Sequence, residues 1–255
     1  MLRVESLTRR FGGVSAVQNV SFEVEQGELR GVIGPNGAGK STLFHVIAGH
    51  LRADAGSILL RGRPIDGLSP DRRAACGIAI VHQGARIFRR MTVLENVMVG
   101  AHCRTRHGFF QAAFRLPACR REEREIQMRA EALLEEVGLA DVADRSAESL
   151  PLGQQRSMQL ARALAADPTV LLLDEPASGL RAAERRQFAK LIRKLCARGL
   201  TLLLVEHDVA LVTSLSDRIT VLDLGRVIAE GEPSKIREDP VVIAAYIGSP
   251  EAPPS

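Results

Sequence analysis

Residues 2–8, LRVESLT, alternate apolar and polar side chains, and so do residues 20–29, VSFEVEQGEL, with Gly27 as a turn. A period of two puts alternate side chains on opposite faces, so both stretches read as half-buried strands. RGVIG (30–34) reads instead as a buried strand. It leads through a glycine-rich loop into a helical pattern, STLFHVIAGHL (41–51). GSILLRGRPI (56–65) is a further strand and turn, and GIAIVHQ (77–83) a short apolar strand with a polar end. From 93 to 165 the period becomes helical, and REEREIQMRAEALLEEVGL (121–139) is an amphipathic helix stopped by Gly138. Strand and helix then alternate through TVLLLDE (169–175), RAAERRQFAKLIRKLCARG (181–199), LTLLLVEHD (200–208) and ITVLDLGRVI (219–228). A short helix near 240–247 and a frayed tail, SPEAPPS, end the chain. Short apolar strands alternating with helices predict an α/β fold with a mostly parallel sheet, and 93–165 reads as an inserted helical lobe.

Composition sets bounds on this picture. The chain has 255 residues, 45% hydrophobic and 25% charged, the balance of a soluble globular protein with a sizeable core. Its longest apolar runs, TVLLL (169–173) and LTLLLV (200–205), are far short of the ~20 residues that span a bilayer. The start, MLRVESLTRRF, has no apolar signal core, which predicts a cytoplasmic location. The 4 cysteines form no CxxC pair and read as reduced structural thiols. His102, Cys103 and His107 lie close together without a second ligand pair, so no metal is expected there. His45, His50 and His82 read as structural or exposed. The net charge is +4, yet residues 84–129 hold ten arginines, no lysine and four glutamates. Such a segment suits an acidic partner surface, a lipid surface or nucleic acid. It lacks the interleaved aromatics that stack bases, which argues against nucleic acid.

The chemistry starts at GPNGAGKST (34–42), which fits G-x-x-x-x-G-K-[ST] between a predicted strand and a predicted helix. Gly34, Pro35, Asn36, Gly37, Ala38 and Gly39 form a loop whose glycines let consecutive N–H groups face phosphate oxygens. The helix from Lys40 adds its positive end. Lys40 supplies a charge to the terminal phosphates, the Ser41 hydroxyl is a Mg2+ ligand, and Thr42 completes the motif. In VLLLDE (170–175) the acids fall at the strand's C-terminal end, where open α/β sheets place ligands. Asp174 would hold Mg2+ and Glu175 would polarise an attacking water. Together these predict a nucleoside-triphosphate hydrolase core.

Further motifs resemble the ATP-binding subunits of ABC transporters. Gln83, in AIVHQ, is similar to the family's glutamine that touches Mg2+ and the membrane subunit. LPLGQQR (150–156) resembles the signature usually written LSGGQ, PASGL (176–180) the loop that crosses the dimer interface, and His207, in VEHD, the switch histidine at the γ-phosphate. Phe11 matches the aromatic residue that stacks on adenine, with Ala16 beside it. The resemblance implies one nucleotide-binding domain over 1–255: a phosphate-loop NTPase core from 1–92 and 166–255, with an N-terminal antiparallel β subdomain, and a helical subdomain from 93–165.

It further implies two subunits sandwiching two ATP molecules. Lys40, Ser41, Gln83, Asp174, Glu175 and His207 would act in cis, and Leu150, Pro151, Gly153 and Gln154 in trans. Partners would be a second ATP-binding subunit, identical or not, integral membrane permease subunits and, for an importer, a solute-binding protein. The chain would then sit peripherally on the cytoplasmic face of the inner membrane. The ending DRITVLDLGRVIAEGEPSKIREDPVVIAAYIG is similar to that of branched-chain amino acid importers, in particular the larger of their two ATPase subunits. Lipopolysaccharide-export ATPases share a related ending, and urea or amide importers are a further alternative. ABC-type ATPases of DNA repair or translation carry two nucleotide-binding halves or a long coiled coil, whereas this chain has one set of motifs. Pro151 departs from the signature, since proline brings neither hydroxyl nor N–H. That opens the alternative of a weakly hydrolysing, regulatory half of a heterodimer.

Overall fold

β3 (Leu29–Ile33), β7 (Val170–Asp174) and β8 (Thr201–Val205) are buried at every position, as strands covered on both faces must be. Their side chains divide between two cores. Val170, Leu172, Leu203 and Val205 face one, and Leu171, Leu173, Leu202 and Leu204 the other. With β6 (Ile78–Val81), β9 (Arg218–Asp223) and β10 (Arg226–Gly231) they form a sheet in the order β10-β9-β3-β8-β7-β6. Its neighbours are parallel except β9 and β10. The computed structural model describes residues 1–84, 87–101 and 117–247, with backbone alone for 117–120 and 247. His102, Cys103, His107, the Cys119 and Arg120 side chains, SPEAPPS and four more of the clustered arginines (Arg86, Arg104, Arg106, Arg115) fall outside that description.

β1 (Leu2–Phe11), β2 (Val14–Val24), β4 (Ala55–Leu60) and β5 (Arg63–Pro64) make an antiparallel sheet in the order β2-β1-β4-β5. Leu2, Val4, Leu7, Val20, Phe22 and Val24 fill the first core against α1 (Lys40–Ile47). The second core lies under α6 (Ala182–Ala197) and α7 (Val209–Leu215), with Phe188, Ile192 and Val212 inside. A third belongs to α3 (Val93–Gly100), α4 (Pro117–Glu136) and α5 (Leu152–Ala165), which close on Val97, Leu134 and Met158. α5 also sends Leu160 and Leu164 into the second core.

Several local readings change. VSFEVEQGEL is split between β2 and β3 at Gly27. ITVLDLGRVI is a hairpin, because Leu224 (φ 45) and Gly225 (φ 79) form a two-residue turn between the paired Asp223 and Arg226. α2 (Pro70–Ala75), α7 and α8 (Pro233–Glu238) are too short to show a helical period in the sequence, whereas α9 (Pro240–Ile247) matches the expected last helix.

Candidate functional site

The glycine-rich loop lies between β3 and α1. Gly39 is the N-cap of α1 at φ 98, and a Cβ there would stand 2.0 Å from the Ala16 carbonyl oxygen. Only glycine fits, and the same approach brings Ala16 against the loop. Lys40 is buried, and its Nζ donates to the Gly34 carbonyl at 2.7 Å and the Pro35 carbonyl at 2.9 Å. Burial lowers its pKa, and the charges of Glu175 and Asp174 oppose that. The Ser41 hydroxyl donates to Asp174 Oδ1 at 3.2 Å. Burial raises the Asp174 pKa against the pull of the Ser41 hydrogen bond. Asn36 and Gly37 are exposed on the outer side of the loop, Ala38 is buried and Thr42 half-buried.

β7 ends at Asp174, and the chain turns through Glu175 at φ 49, a left-handed conformation uncommon for a side-chain-bearing residue. The turn aims its carboxylate between two partners. Gln83 Nε2 donates to Oε2 at 2.6 Å, and His207 Nε2 lies 2.6 Å from Oε1. Glu206, missed in the sequence, is buried beside them, and its Oε1 accepts from the Ala177 N–H at 2.6 Å. It thereby pins the 176–180 loop. Burial raises the Glu206 pKa against that hydrogen bond.

Leu150 is buried in the core of the helical lobe, so its side chain packs rather than facing a nucleotide. Pro151 is the N-cap of α5, and its carbonyl accepts from Gln155 N at 3.0 Å. The first-turn N–H groups of α5 therefore come from Leu152, Gly153 and Gln154, the residues after the proline. What Pro151 removes at this helix start is the side-chain hydroxyl. Two approaches tie this turn to the loop after Glu175 and to the start of α6. A Cβ on Gly153 would stand 2.5 Å from Glu184 Oε1, and one on Gly179 3.0 Å from Leu152 Cδ2. Farther along α5, Gln159 Nε2 donates to the Gly84 carbonyl at 3.0 Å, joining this helix to the segment after Gln83. The buried Arg156 lies in the field of Glu206 and Glu175.

Phe11 is 45% exposed, and the Arg9 guanidinium covers one ring face at 4.8 Å. The imidazoles of His45, His50 and His82 gather with centroids 5.1 to 6.1 Å apart, yet among the described residues no group of three His, Cys, Asp or Glu is arranged to hold a metal. The hydroxyl of Tyr246, on α9, faces the Gly34 amide, and burial pushes its pKa up to about 12. Glu206, Arg156, Gln159 and Glu184 could not be singled out beforehand, because their importance lies in contacts across elements distant in sequence.

The brought-together set can cradle an anion chain on backbone amides and a lysine, and can present an oriented carboxylate beside it. The profile of the ABC transporter family matches residues 17–178, and that of the branched-chain amino acid ATP-binding cassette transporter matches 226–252. The high-affinity branched-chain amino acid transport ATP-binding protein BraF of Pseudomonas aeruginosa is 43% identical over 249 residues, covering 97% of this chain and 98% of its own. A crystal structure of a nucleotide-free ATP-binding cassette from an ABC transporter superposes with a TM-score of 0.86 at 32% identity, over 98% of this chain and 99% of that one. A dimeric post-hydrolysis cassette bound to ADP and Pi matches with a TM-score of 0.77 at 26% identity, over 91% of this chain and 99% of that one. With the glycine-rich loop and the paired acids gathered around one site, and the PLGQQ helix start packed on the loop that follows those acids, the chain belongs to the ABC transporter family of ATP-binding subunits, whose cassettes hydrolyse ATP to power transport.

Proposed function

We propose that the chain binds Mg-ATP on residues 34–42 and hydrolyses it with Glu175 as general base, as one of two cassettes that drive a membrane permease importing branched-chain or related amino acids. The observation that carries the catalytic part is the Glu175 carboxylate held at 2.6 Å by both Gln83 and His207, beside Lys40, Ser41 and Asp174. In that position it can accept the proton of a water attacking the terminal phosphorus, a contribution of ~10²–10⁴ in rate. His207 and Lys40 offset charge growing on the phosphate oxygens. Ser41 Oγ and Asp174 Oδ1, 3.2 Å apart, are hard oxygen donors suited to holding a small divalent cation. Mg2+ held there would supply neutralisation of phosphate charge. Phe11 offers its second face to adenine, next to Ala16.

The composite-site reading places Pro151, Gly153 and Gln154 against the ATP of the partner cassette. It takes support from the dimeric relative and from the first-turn amides of α5. Residues 93–165 then act as a lobe with its own core, joined to the ATPase core of 1–92 and 166–255 through α5. No described helix is long and apolar enough to cross a membrane, so coupling to transport requires permease subunits, contacted near Gln83 and the arginine-rich segment. That assigns the chain to the cytoplasmic face of the inner membrane, with a solute-binding protein on the far side. The substrate reading rests on the name of the 43%-identical relative and on the 226–252 match.

Glu175→Gln should retain ATP binding and abolish phosphate release; normal steady-state hydrolysis by that variant removes Glu175 from the base role. Detergent-extracted membranes should yield an integral membrane protein with this chain, and recovery of soluble partners alone would count against the transport reading. Pro151 favours a second reading, a weakly hydrolysing half of a heterodimer. ATPase rates of the chain alone and with a co-expressed second ATPase subunit separate the two.

A further inference from the structure

Arg181 stands exposed at the N-cap of α6, with φ −68 and ψ 158. An N-cap favours Asn, Asp, Ser or Thr, whose oxygen accepts from first-turn amides, while a guanidinium has only donors. Its charge also lies at the positive end of the helix. The helix start uses the Arg181 backbone instead, whose N–H donates to Glu184 Oε2 at 2.9 Å. Local structure therefore does not call for arginine here, and its guanidinium enters no ion pair among the described residues.

Its surroundings point to a use. The Glu184 carboxylate that binds the Arg181 amide through one oxygen lies against Gly153 with the other. Two residues earlier, Gly179 sits against Leu152. The 176–181 loop is thus packed on the first turn of α5, and Arg181 follows it on the same side, its amide bound to the Glu184 carboxylate that lies against Gly153. Ala182 and Ala183, both exposed, leave the approach open. This is the face on which a hydroxyl donor is missing.

We infer that Arg181 supplies, across the interface with the second cassette, the donor that Pro151 cannot, its guanidinium binding terminal phosphate oxygens of the ATP held on the partner's phosphate loop. The inference rests on the composite-site reading above. A guanidinium stays protonated at every working pH, and its planar fork matches phosphate oxygens with two parallel N–H donors. A hydroxyl offers phosphate one donor on a neutral group, whereas the guanidinium offers two on a charged one. Because the contact forms only when two cassettes close, it favours the closed, ATP-bound dimer over the single chain.

The test uses the full-length chain carrying Glu175→Gln, which keeps ATP unhydrolysed, with association followed by light scattering during size-exclusion chromatography. Arg181→Ala should raise the ATP concentration for half-maximal dimerisation roughly tenfold or more, since each of the two ATP sites loses a charge-assisted contact. Binding of a fluorescent ATP analogue to the dilute, monomeric chain should not change, and neither should its thermal midpoint. Adding Pro151→Ser should reduce the Arg181→Ala effect to under about threefold, since neighbours sharing one function are non-additive. Dimerisation of the Arg181→Ala chain at the same ATP concentration overturns the inference and leaves the composite-site reading standing. Equal losses with and without the serine overturn the link to Pro151. Failure of the Glu175→Gln chain to associate with ATP, alone or with a second ATPase subunit, overturns both.

Discussion

Single positions at this site carry several demands at once. Glu175 leaves a strand, takes a left-handed backbone conformation and receives two side-chain contacts on its carboxylate, so its geometry is determined from three directions. Pro151 shows the converse: one residue type removes a donor while the helix start behind it stays intact. With Arg181 replaced by alanine, Pro151→Ser should restore a hydrogen bond to a charged group, worth about 1.5–3 kcal/mol, and so raise the turnover of the assembled complex about tenfold or more. An unchanged ATPase rate would show that the hydroxyl does not matter. Cys196 offers a pH-dependent readout. Burial pushes its thiol up to about 12, so the folded state holds that proton more tightly than the unfolded chain does. The associated stability is complete below the ordinary thiol pKa and is lost as pH rises from there towards 12. Iodoacetamide at about pH 8.5 should therefore label the exposed Cys76 and spare Cys196 until urea is added, as read by peptide mass spectrometry.

At the scale of elements, α1, the helix proposed to bind phosphate, is held at both ends. Ala16 closes on its N-cap through Gly39, and the buried Arg73 clamps its C-terminal end. Arg73 Nη1 donates to the Val46 and Ile47 carbonyls at 2.7 and 2.8 Å, while Nε and Nη2 reach Leu68 and Asp66 carbonyls. Orphan carbonyls at a helix end need such donors. Arg73→Met should cost about 1–3 kcal/mol for each carbonyl left dry, measured as a lower urea midpoint. It should also weaken ATP binding, because α1 carries Lys40 and Ser41. Little of this was legible beforehand. The phosphate loop announced itself through residue types at fixed spacing, whereas Arg73 sits in a short segment whose partners lie across a turn and a loop. Glu206 was hidden for the same reason: "VEHD" points to the histidine, and only the fold shows the glutamate holding Ala177.

Across the whole molecule, one buried side chain joins the two sheets. Arg30, 1% exposed on β3, pairs with Glu28 at 2.5 Å and Glu230 at 2.7 Å. It also donates to the Thr220 hydroxyl on β9 and the Glu23 carbonyl on β2. Removing one partner from a buried ion pair leaves the other charge without compensation, so Arg30→Ala should destabilise the chain by about 3–5 kcal/mol. Chemical denaturation would measure that, with no loss if the guanidinium is dispensable.

The sequence alone determined the kind of protein this is. Its strand runs, its phosphate loop and its paired acids are local patterns, and local spacing is enough to specify a buried strand or an anion-binding turn. The order of motifs along the chain also points to the family. Tertiary structure decided what those patterns touch. It split ITVLDLGRVI into a hairpin, turned Leu150 into the lobe's core, and laid Gly153 on Glu184 and Leu152 on Gly179. These outcomes depend on which surfaces meet when two sheets and a helical lobe pack, and packing joins residues far apart in the chain. Arg181 belongs to that second class: one arginine in a basic stretch of sequence, it becomes informative only once the fold links it through Glu184 to the turn that begins at Pro151.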